Sequence, residues 1–208
     1  MDRPELTRGA QQRPGLDYVI SEFQASVAVK QRLLDDASLL RQVDAMGQLL
    51  IDRYLAGNKL LVAGNGGSAA DAQHIAAEFV SRFNYDRPGL PALALTTDTS
   101  ILTAVGNDYG YQELFARQVQ ANAVAGDVFL GISTSGNSEN VLRALHACRD
   151  KGVTSFGLTG RSGGAMRELC DYCLCVPSDE TPRIQEAHIL VGHTLCAMVE
   201  LALFEDPR

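Results

Sequence analysis

The stretch Leu60-Leu-Val-Ala-Gly64-Asn-Gly-Gly-Ser68 decides the fold class, because a short apolar run passes directly into a glycine-rich loop. An apolar run of this length bounded by glycines predicts a buried strand over Leu60 to Ala63. The residues that follow predict a helix from about Ala69 to Phe83. Glycines at such a junction let backbone amides approach an anion, and the helix dipole favours its negative charge. Residues 64–68 therefore indicate a phosphate or sugar loop, with a dinucleotide loop and a plain tight turn as alternatives.

The pattern of strand, loop and helix recurs along the chain. Before it, Leu16 to Ala56 has helical apolar spacing and predicts two helices that break near Asp35 to Ser38. Alternation with short connections predicts an α/β fold, a parallel sheet covered by helices on both faces. Ligands of such sheets bind beyond the carboxyl ends of the strands. The further strands are predicted at Ala92 to Leu95, Val128 to Ile132, Thr154 to Leu158 and Tyr172 to Val176.

Length, charge and cysteine content restrict the function classes. The 208 residues, 46% of them apolar, predict one domain over residues 14–208 behind a loose tail, residues 1–13. Apolar runs fall short of the roughly 20 residues of a membrane span, and the N-terminus lacks a secretory signal, so we expect a cytoplasmic protein without a membrane partner.

A net charge of -7 argues against nucleic acid as a partner. Five cysteines predict reduced thiols, and Cys170-x-x-Cys173 alone is a weak zinc pattern.

A second polar loop, Ser133-Thr-Ser-Gly-Asn-Ser138, follows a predicted strand and precedes a predicted helix from about Glu139 to Lys151. Its hydroxyl groups can hydrogen-bond phosphate oxygens while the first-turn amides of the helix supply partial positive charge. An ordinary serine N-cap would need only one such residue. The loop therefore favours a phosphate cradle.

Titratable side chains fall on two predicted helices. His74 and Glu78 lie four residues apart, so both project from one helix face. On the last predicted helix, at about 100° per residue, His188 lies about 60° from Gln185 and His193 about 80° from it on the other side. The two histidines cannot both face one small site comfortably, and periodicity alone slightly prefers His188. Either histidine could instead be a satisfied core residue.

A nicotinamide-dependent oxidoreductase is one alternative function. Gly64, Gly66 and Ala69 satisfy the degenerate dinucleotide fingerprint, and Asp98 follows the second predicted strand as a ribose-binding acid would. The serine-rich second loop counts against this function, because it offers a compact phosphate-binding site instead of a surface for the second nucleotide of a dinucleotide.

Four segments, taken in order, resemble one known family. They are AGNGGSAADAQHIAAEF from Ala63, AVGNDYGYQELFARQV from Ala104, GDVFLGISTSGNSENV from Gly126 and RIQEAHILVGH from Arg183. Together they resemble the bacterial phosphoheptose isomerases of the sugar isomerase (SIS) domain class, from about Leu16 to Glu200. The resemblance implies a flavodoxin-like parallel-sheet sandwich with N-terminal helices and a homotetramer with sites at subunit interfaces. It also implies conversion of sedoheptulose 7-phosphate to D-glycero-D-manno-heptose 7-phosphate, the first step of heptose biosynthesis.

The same resemblance implies roles for individual residues. Glu78 and His193 would transfer protons with help from Gln185, which chooses His193 over His188. Zinc-containing members of the family imply His74, Glu78, Gln185 and His193 as metal ligands, without a nucleotide cofactor. Arg82 would help to hold the phosphate. The implied substrate contacts are Asn65, Gly66, Gly67, Ser68, Arg82, Asn107, Asp108, Ser133, Thr134, Ser135, Ser138 and Gln185.

The chemistry of these residue types agrees with an isomerase. Moving a carbonyl from C2 to C1 needs a proton removed from C1 and a proton delivered to C2, which a carboxylate and an imidazole can supply near neutral pH. A mixed nitrogen and oxygen ligand set suits zinc. The main alternative is a related non-catalytic SIS tetramer that binds the bacterial replication initiator DnaA. Glu78 and His193 separate the two hypotheses, because a binding scaffold has no chemical need for that pair.

Overall fold

A computed structural model of the chain describes residues 14–205. The predicted tail, residues 1–13, lies outside this part, and one domain over residues 14–208 stays a prediction. The predicted α/β architecture is confirmed, because strands and helices alternate around one parallel sheet. In chain order the elements are α1 Leu16–Asp35, α2 Ala37–Leu55, β1 Leu60–Gly64, α3 Gly67–Val80, β2 Ala92–Ala94, α4 Thr99–Asp108, a 3-10 turn Tyr111–Glu113, α5 Leu114–Asn122, β3 Val128–Ile132, α6 Glu139–Lys151, β4 Thr154–Thr159, α7 Met166–Leu169, β5 Tyr172–Cys175 and α8 Thr181–Leu203.

The break between the first two helices is made by one capping residue. Asp36 has an extended backbone that ends α1. Its carboxylate accepts hydrogen bonds from the backbone N–H of Ser38 at 2.9 Å and of Leu39 at 3.2 Å, which satisfies two free donors at the start of α2. The predicted break is therefore confirmed, and its cause is a helix N-cap.

The sheet has the strand order β2-β1-β3-β4-β5, and every neighbouring pair is parallel. This is the flavodoxin-like order, in which the chain switches direction across the sheet between β1 and β3. In the register of those two strands Leu60 pairs with Val128 and Gly64 with Ile132, so both strands end at the same level. The loops that follow β1 and β3 therefore lie side by side at the carboxyl edge.

Each face of the sheet has its own core, as strand alternation requires. Leu60 and Val62 belong to the core beneath α1, α2, α3 and α8. Leu61 and Ala63 point the other way, into the core formed with α5, α6 and α7. The two layers of helices bury both faces, which explains why β1 and β3 are apolar throughout.

Helix α8 has the length and hydropathy of a membrane span, with 23 residues and a mean hydropathy of 1.3. In the structure it packs against α2 and α3. Near its end Glu200 is fully buried and accepts hydrogen bonds from Arg87 Nε at 3.2 Å and from the backbone N–H of Phe83 at 2.9 Å and Asn84 at 2.6 Å. Burial alone raises the pKa of Glu200, but these hydrogen bonds outweigh it and hold the pKa below its usual value. The packing is that of a core helix, and the absence of a membrane partner stays a prediction.

Candidate functional site

The glycine loop between β1 and α3 is shaped by close backbone contacts. Gly66 has a φ of +55°, which disfavours any residue with a side chain. A Cβ at Gly67 would lie 2.5 Å from Nε2 of Gln185, so the glycine lets α8 approach the start of α3. Ser68 is buried, and its N–H donates to the backbone oxygen of Asn65 at 3.0 Å. The loop thus opens α3 with its first amides at the carboxyl edge of the sheet.

The serine loop after β3 forms a cluster of hydroxyl groups. Ser133 is buried, and its Oγ lies 2.9 Å from Oγ of Ser138 and 3.4 Å from Oγ of Ser135. Ser138 is the N-cap residue of α6, yet its side chain makes no capping hydrogen bond. No side-chain cap therefore competes with an anion for the first-turn amides of α6, of which the N–H of Val141 already donates to the backbone oxygen of Ser138 at 2.9 Å. A cavity of about 360 Å³ opens beside the loop and is lined in part by Thr134 and Arg161.

Backbone packing fixes the turn within this loop. Gly136 has a φ of +67°, and a Cβ there would collide with the carbonyl oxygen of Gly163. Its carbonyl oxygen also accepts the N–H of Met166 at 3.1 Å. The loop after β4 therefore packs directly against the serine loop, and no residue larger than glycine fits at position 136.

Two imidazoles and a carboxylate meet where α3 packs against α8. Nε2 of His74 lies 2.9 Å from Oε1 of Glu78 and 3.1 Å from Nε2 of His193. The ring of Phe83 packs on His193, with 5.5 Å between centroids. One ligand atom from each of the three polar residues lies within 4.8 Å of the others, so they could share one metal ion. The parallel packing of α3 and α8 brings them together.

Asp71 is a residue that the sequence interpretation missed. It precedes His74 by three residues and Glu78 by seven, so all three share one face of α3. Its Oδ2 is buried and has no hydrogen-bond partner. Burial raises the pKa of Asp71, while the nearby His74 and His193 act to lower it. Helical spacing from His74 was the signal that could have identified it.

The three candidates on α8 have separate surroundings. Gln185 lies beside Gly67 and precedes His193 by eight residues, which is about 12 Å along a helix axis. Its role as a fourth metal ligand stays a prediction. His188 is fully buried and its Nε2 donates to the backbone oxygen of Thr159 at 3.1 Å. Burial lowers the pKa of His188 to about 4, although this hydrogen bond acts to raise it. His188 is thus the core histidine, and His193 belongs to the cluster.

The remaining predicted contacts come from segments other than the two loops. Arg82 is exposed and follows the end of α3 at Val80. Asn107 and Asp108 are exposed at the end of α4, where Nδ2 of Asn107 donates to Oδ1 of Asp108 at 2.8 Å. Their contacts with substrate stay predictions.

Two alternative sites from the sequence have structural explanations. Asp98 is the N-cap of α4, and its Oδ1 accepts the N–H of Ile101 at 2.9 Å. That bond gives Asp98 a structural role at the start of α4. The cysteines are free thiols, and among residues 14–205 the cluster of His74, Glu78 and His193 is the metal-compatible group of His, Cys, Asp and Glu side chains.

Comparisons with known proteins agree with this architecture. The profile of the SIS domain family matches residues 23–160. Over 190 residues the chain is 62% identical to a phosphoheptose isomerase of Aneurinibacillus thermoaerophilus, covering 91% of this chain and 96% of that protein. Over 187 residues it is 63% identical to phosphoheptose isomerase 2 of Campylobacter jejuni, covering 90% of this chain and 93% of that protein. A solved phosphoheptose isomerase from Francisella tularensis shares 39% identity at a TM-score of 0.85, covering 89% of this chain and 98% of that one.

The flavodoxin-like sheet, with a glycine loop and a serine loop at its switch point, defines the class as an α/β domain of the sugar isomerase type. Identity above 60% extends over nine-tenths of the chain, well beyond the loops that such domains share. The chain belongs to the phosphoheptose isomerase family of SIS domain proteins. The resemblance stated from the four sequence segments is thereby confirmed.

Proposed function

We propose that this chain is an aldose-ketose isomerase that converts sedoheptulose 7-phosphate into D-glycero-D-manno-heptose 7-phosphate. The observation that carries the proposal is the cluster of His74, Glu78 and His193, in a chain 62% identical to a phosphoheptose isomerase. The reaction would be the first step of heptose biosynthesis, in the cytoplasm.

Proton transfer is assigned to Glu78 and His193. One of the two removes a proton from C1 of the ketose while O2 gains a proton, which gives the enediol. The other then delivers a proton to C2 while O1 loses its proton and becomes the aldehyde carbonyl oxygen. His74 lies between them, within 2.9 Å of the Glu78 carboxylate and 3.1 Å of the His193 ring. Because these three groups are close, His74 restrains the orientation of both, and Phe83 packs against the ring of His193.

The phosphate is assigned to the serine loop. Ser133, Ser135 and Ser138 offer hydroxyl donors, and the uncapped start of α6 offers backbone amides. The glycine loop from Asn65 to Ser68 would contact the sugar portion. This division agrees with the two loops lying side by side at the switch point.

The donor set of the cluster fits zinc. A tetrahedral zinc at about 2.0–2.1 Å from each donor would place neighbouring donor atoms about 3.3 Å apart. The distances of 2.9 Å from His74 to Glu78 and 3.1 Å from His74 to His193 are close to that spacing. We assign these three residues as zinc ligands, with Glu78 binding through one carboxylate oxygen so that the second oxygen stays free as a base. Gln185 is proposed as the fourth ligand, and because its amide lies against Gly67, its side chain must turn along α8 toward His193 to reach the ion. When bound, zinc would polarise the carbonyl and enediolate oxygens as a Lewis acid.

A homotetramer with shared sites belongs to the same proposal. Helix α1 exposes large apolar side chains, with Leu16 and Phe23 each 72% exposed and Val27 65% exposed. Contiguous apolar surface of this kind is typical of protein interfaces. Arg82 would then reach the serine loop of a second copy.

No observation on the structure favours the initiator-binding scaffold, which needs no proton-transfer pair.

A coupled assay of metal-replete protein on sedoheptulose 7-phosphate tests the activity. Glu78→Gln and His193→Gln should each lower kcat by about 10²- to 10⁴-fold, as loss of a general acid or base does. Glu168→Gln and His146→Gln are matched controls, because both residues are exposed outside the cluster. Near-normal turnover in either cluster variant would reject the assignment, and a silent but folded wild-type protein would favour the DnaA-binding scaffold.

Mixing two inactive variants tests whether sites are shared between copies. Arg82→Ala and Ser135→Ala should each be nearly inactive alone, since each removes a phosphate contact. If Arg82 acts on the serine loop of another copy, mixed oligomers contain some sites with both residues intact and regain activity. Mixtures no more active than the separate variants would contradict shared sites, and sedimentation would report the oligomeric state.

A further inference from the structure

One pair of side chains joins the two loops at the switch point. Nδ2 of Asn65 donates to Oδ1 of Asn140 at 2.9 Å, and Nδ2 of Asn140 donates back to Oδ1 of Asn65 at 2.9 Å. The hydroxyl of Tyr111 donates to the same Asn65 oxygen at 2.9 Å. We call Asn65 and Asn140 the amide clasp. Asn140 is only 2% exposed, so few water molecules can compete for its amide.

The position of the clasp gives it a functional meaning. Asn65 directly follows β1 and begins the glycine loop, whereas Asn140 lies in the first turn of α6, two residues after Ser138. The clasp therefore spans the gap between the loop proposed for the sugar and the loop proposed for the phosphate. An asparagine amide has two N–H donors. The clasp engages one N–H of Asn65 and leaves the second for a ligand.

We propose that Asn140 is a positioning residue that holds the Asn65 amide and sets the spacing between the glycine loop and the serine loop. The inference rests on the proposed function. Asn140 acts through Asn65 and does not itself need to touch the substrate. A buried amide needs hydrogen-bond partners, and the Asn65 side chain supplies both a donor and an acceptor to Asn140.

Asn140→Ala is the direct perturbation. It removes both hydrogen bonds of the clasp and leaves Asn65 with only its contact to Tyr111. Losing a buried partner weakens binding and orientation of the remaining group, so kcat/KM for sedoheptulose 7-phosphate should fall about tenfold. Inorganic phosphate as a competitive inhibitor probes the serine loop alone. Its inhibition constant should change by less than about twofold, because the hydroxyl cluster does not depend on the clasp.

Asn122→Ala is the matched control. Asn122 is exposed and donates to the backbone oxygen of Gln118 at 3.0 Å. It ends α5 and leads into the start of β3, whereas both loops follow the carboxyl ends of their strands. Its kcat/KM should equal that of the wild type. The proposal is wrong if Asn140→Ala keeps kcat/KM within about twofold of the wild type, or if phosphate inhibition weakens as much as kcat/KM does. The second result would place the effect of Asn140 at the start of α6.

A stability cycle tests the clasp without using turnover. Urea unfolding of Asn65→Ala, Asn140→Ala and the double variant should show coupling, with the double variant losing less stability than the two single losses combined. Additive losses would overturn the proposal. A wild-type protein that is silent toward sedoheptulose 7-phosphate would reject the proposed function, while this cycle would still decide whether the clasp exists.

Discussion

His188, the buried histidine of α8, gives a sharp prediction for how stability depends on pH. It is fully buried, its Nε2 donates to the Thr159 carbonyl, and its Nδ1 is buried without a partner. Burial lowers its pKa to about 4. A histidine in the unfolded chain has a pKa of about 6.5. Between these two pKa values the unfolded state binds a proton that the folded state does not bind. The free energy of unfolding therefore falls as the pH falls.

The size of this effect follows from the two pKa values. The loss begins near pH 6.5 and continues until the folded-state pKa of about 4 is reached. One pKa unit corresponds to about 1.4 kcal/mol, so at about pH 5 the contribution of His188 amounts to about 2 kcal/mol of lost stability. Stability therefore rises with pH across this window, in the direction expected for a histidine kept neutral by burial.

His188→Gln isolates the effect, because glutamine keeps a donor and cannot titrate. Urea unfolding at about pH 7.5 and about pH 5 should show that the wild type loses about 2 kcal/mol more than the variant, at fixed protein concentration. At the higher pH His188→Gln should retain turnover, whereas His193→Gln should not. An equal pH dependence in wild type and His188→Gln would refute the reasoning, and lost turnover in a folded His188→Gln protein would refute its assignment as the core histidine.

Three further predictions follow from buried or strained positions. Glu200→Gln leaves the buried Arg87 charge without its carboxylate and should cost about 3 kcal/mol in urea unfolding, whereas a cost near zero would contradict the role of the pair. Gly136→Ala forces a side chain into a left-handed turn against Gly163, so it should raise KM for the sugar phosphate about tenfold, and an unchanged KM would contradict it. Asp71→Asn should weaken zinc binding about tenfold in competition with a chromophoric chelator, and unchanged affinity would exclude Asp71 from orienting the cluster.

Strands could be predicted closely because burial on both faces of the sheet requires a continuous apolar run in the sequence. The predicted strand Val128 to Ile132 and helix Glu139 to Lys151 match β3 and α6. Helix starts were less accurate, since α3 begins at Gly67 where Ala69 was predicted. Glycine has low helix propensity, yet contact between Gly67 and Gln185 favours its place in the first turn. Tertiary packing thus decided a boundary that local preference could not.

The site was harder to predict because its members come from different helices. Angles about α8 slightly preferred His188, and only the packing of α3 beside α8 brings His193 to His74. That packing depends on small residues at the contact, such as Gly192, where a Cβ would lie 2.7 Å from Ile75. Asn140 gave no periodic signal either, since its partner Asn65 lies 75 residues earlier in the chain. Contacts across the switch point depend on strand order, which the sequence pattern alone left open.

The length of α3 governs how a complete site can be assembled. The helix starts at the carboxyl edge of the sheet and its 14 residues extend about 21 Å back along it, farther than the roughly 16 Å length of β1. Gly67 therefore lies beside the serine loop, whereas Arg82 follows the opposite end of the helix. Within one chain Arg82 cannot contact a phosphate held by Ser133 and Ser138. If Arg82 has the phosphate role that the family resemblance implies, the phosphate it contacts must be held by a second copy of the chain, and the exposed apolar surface of α1 is where we propose that the copies meet.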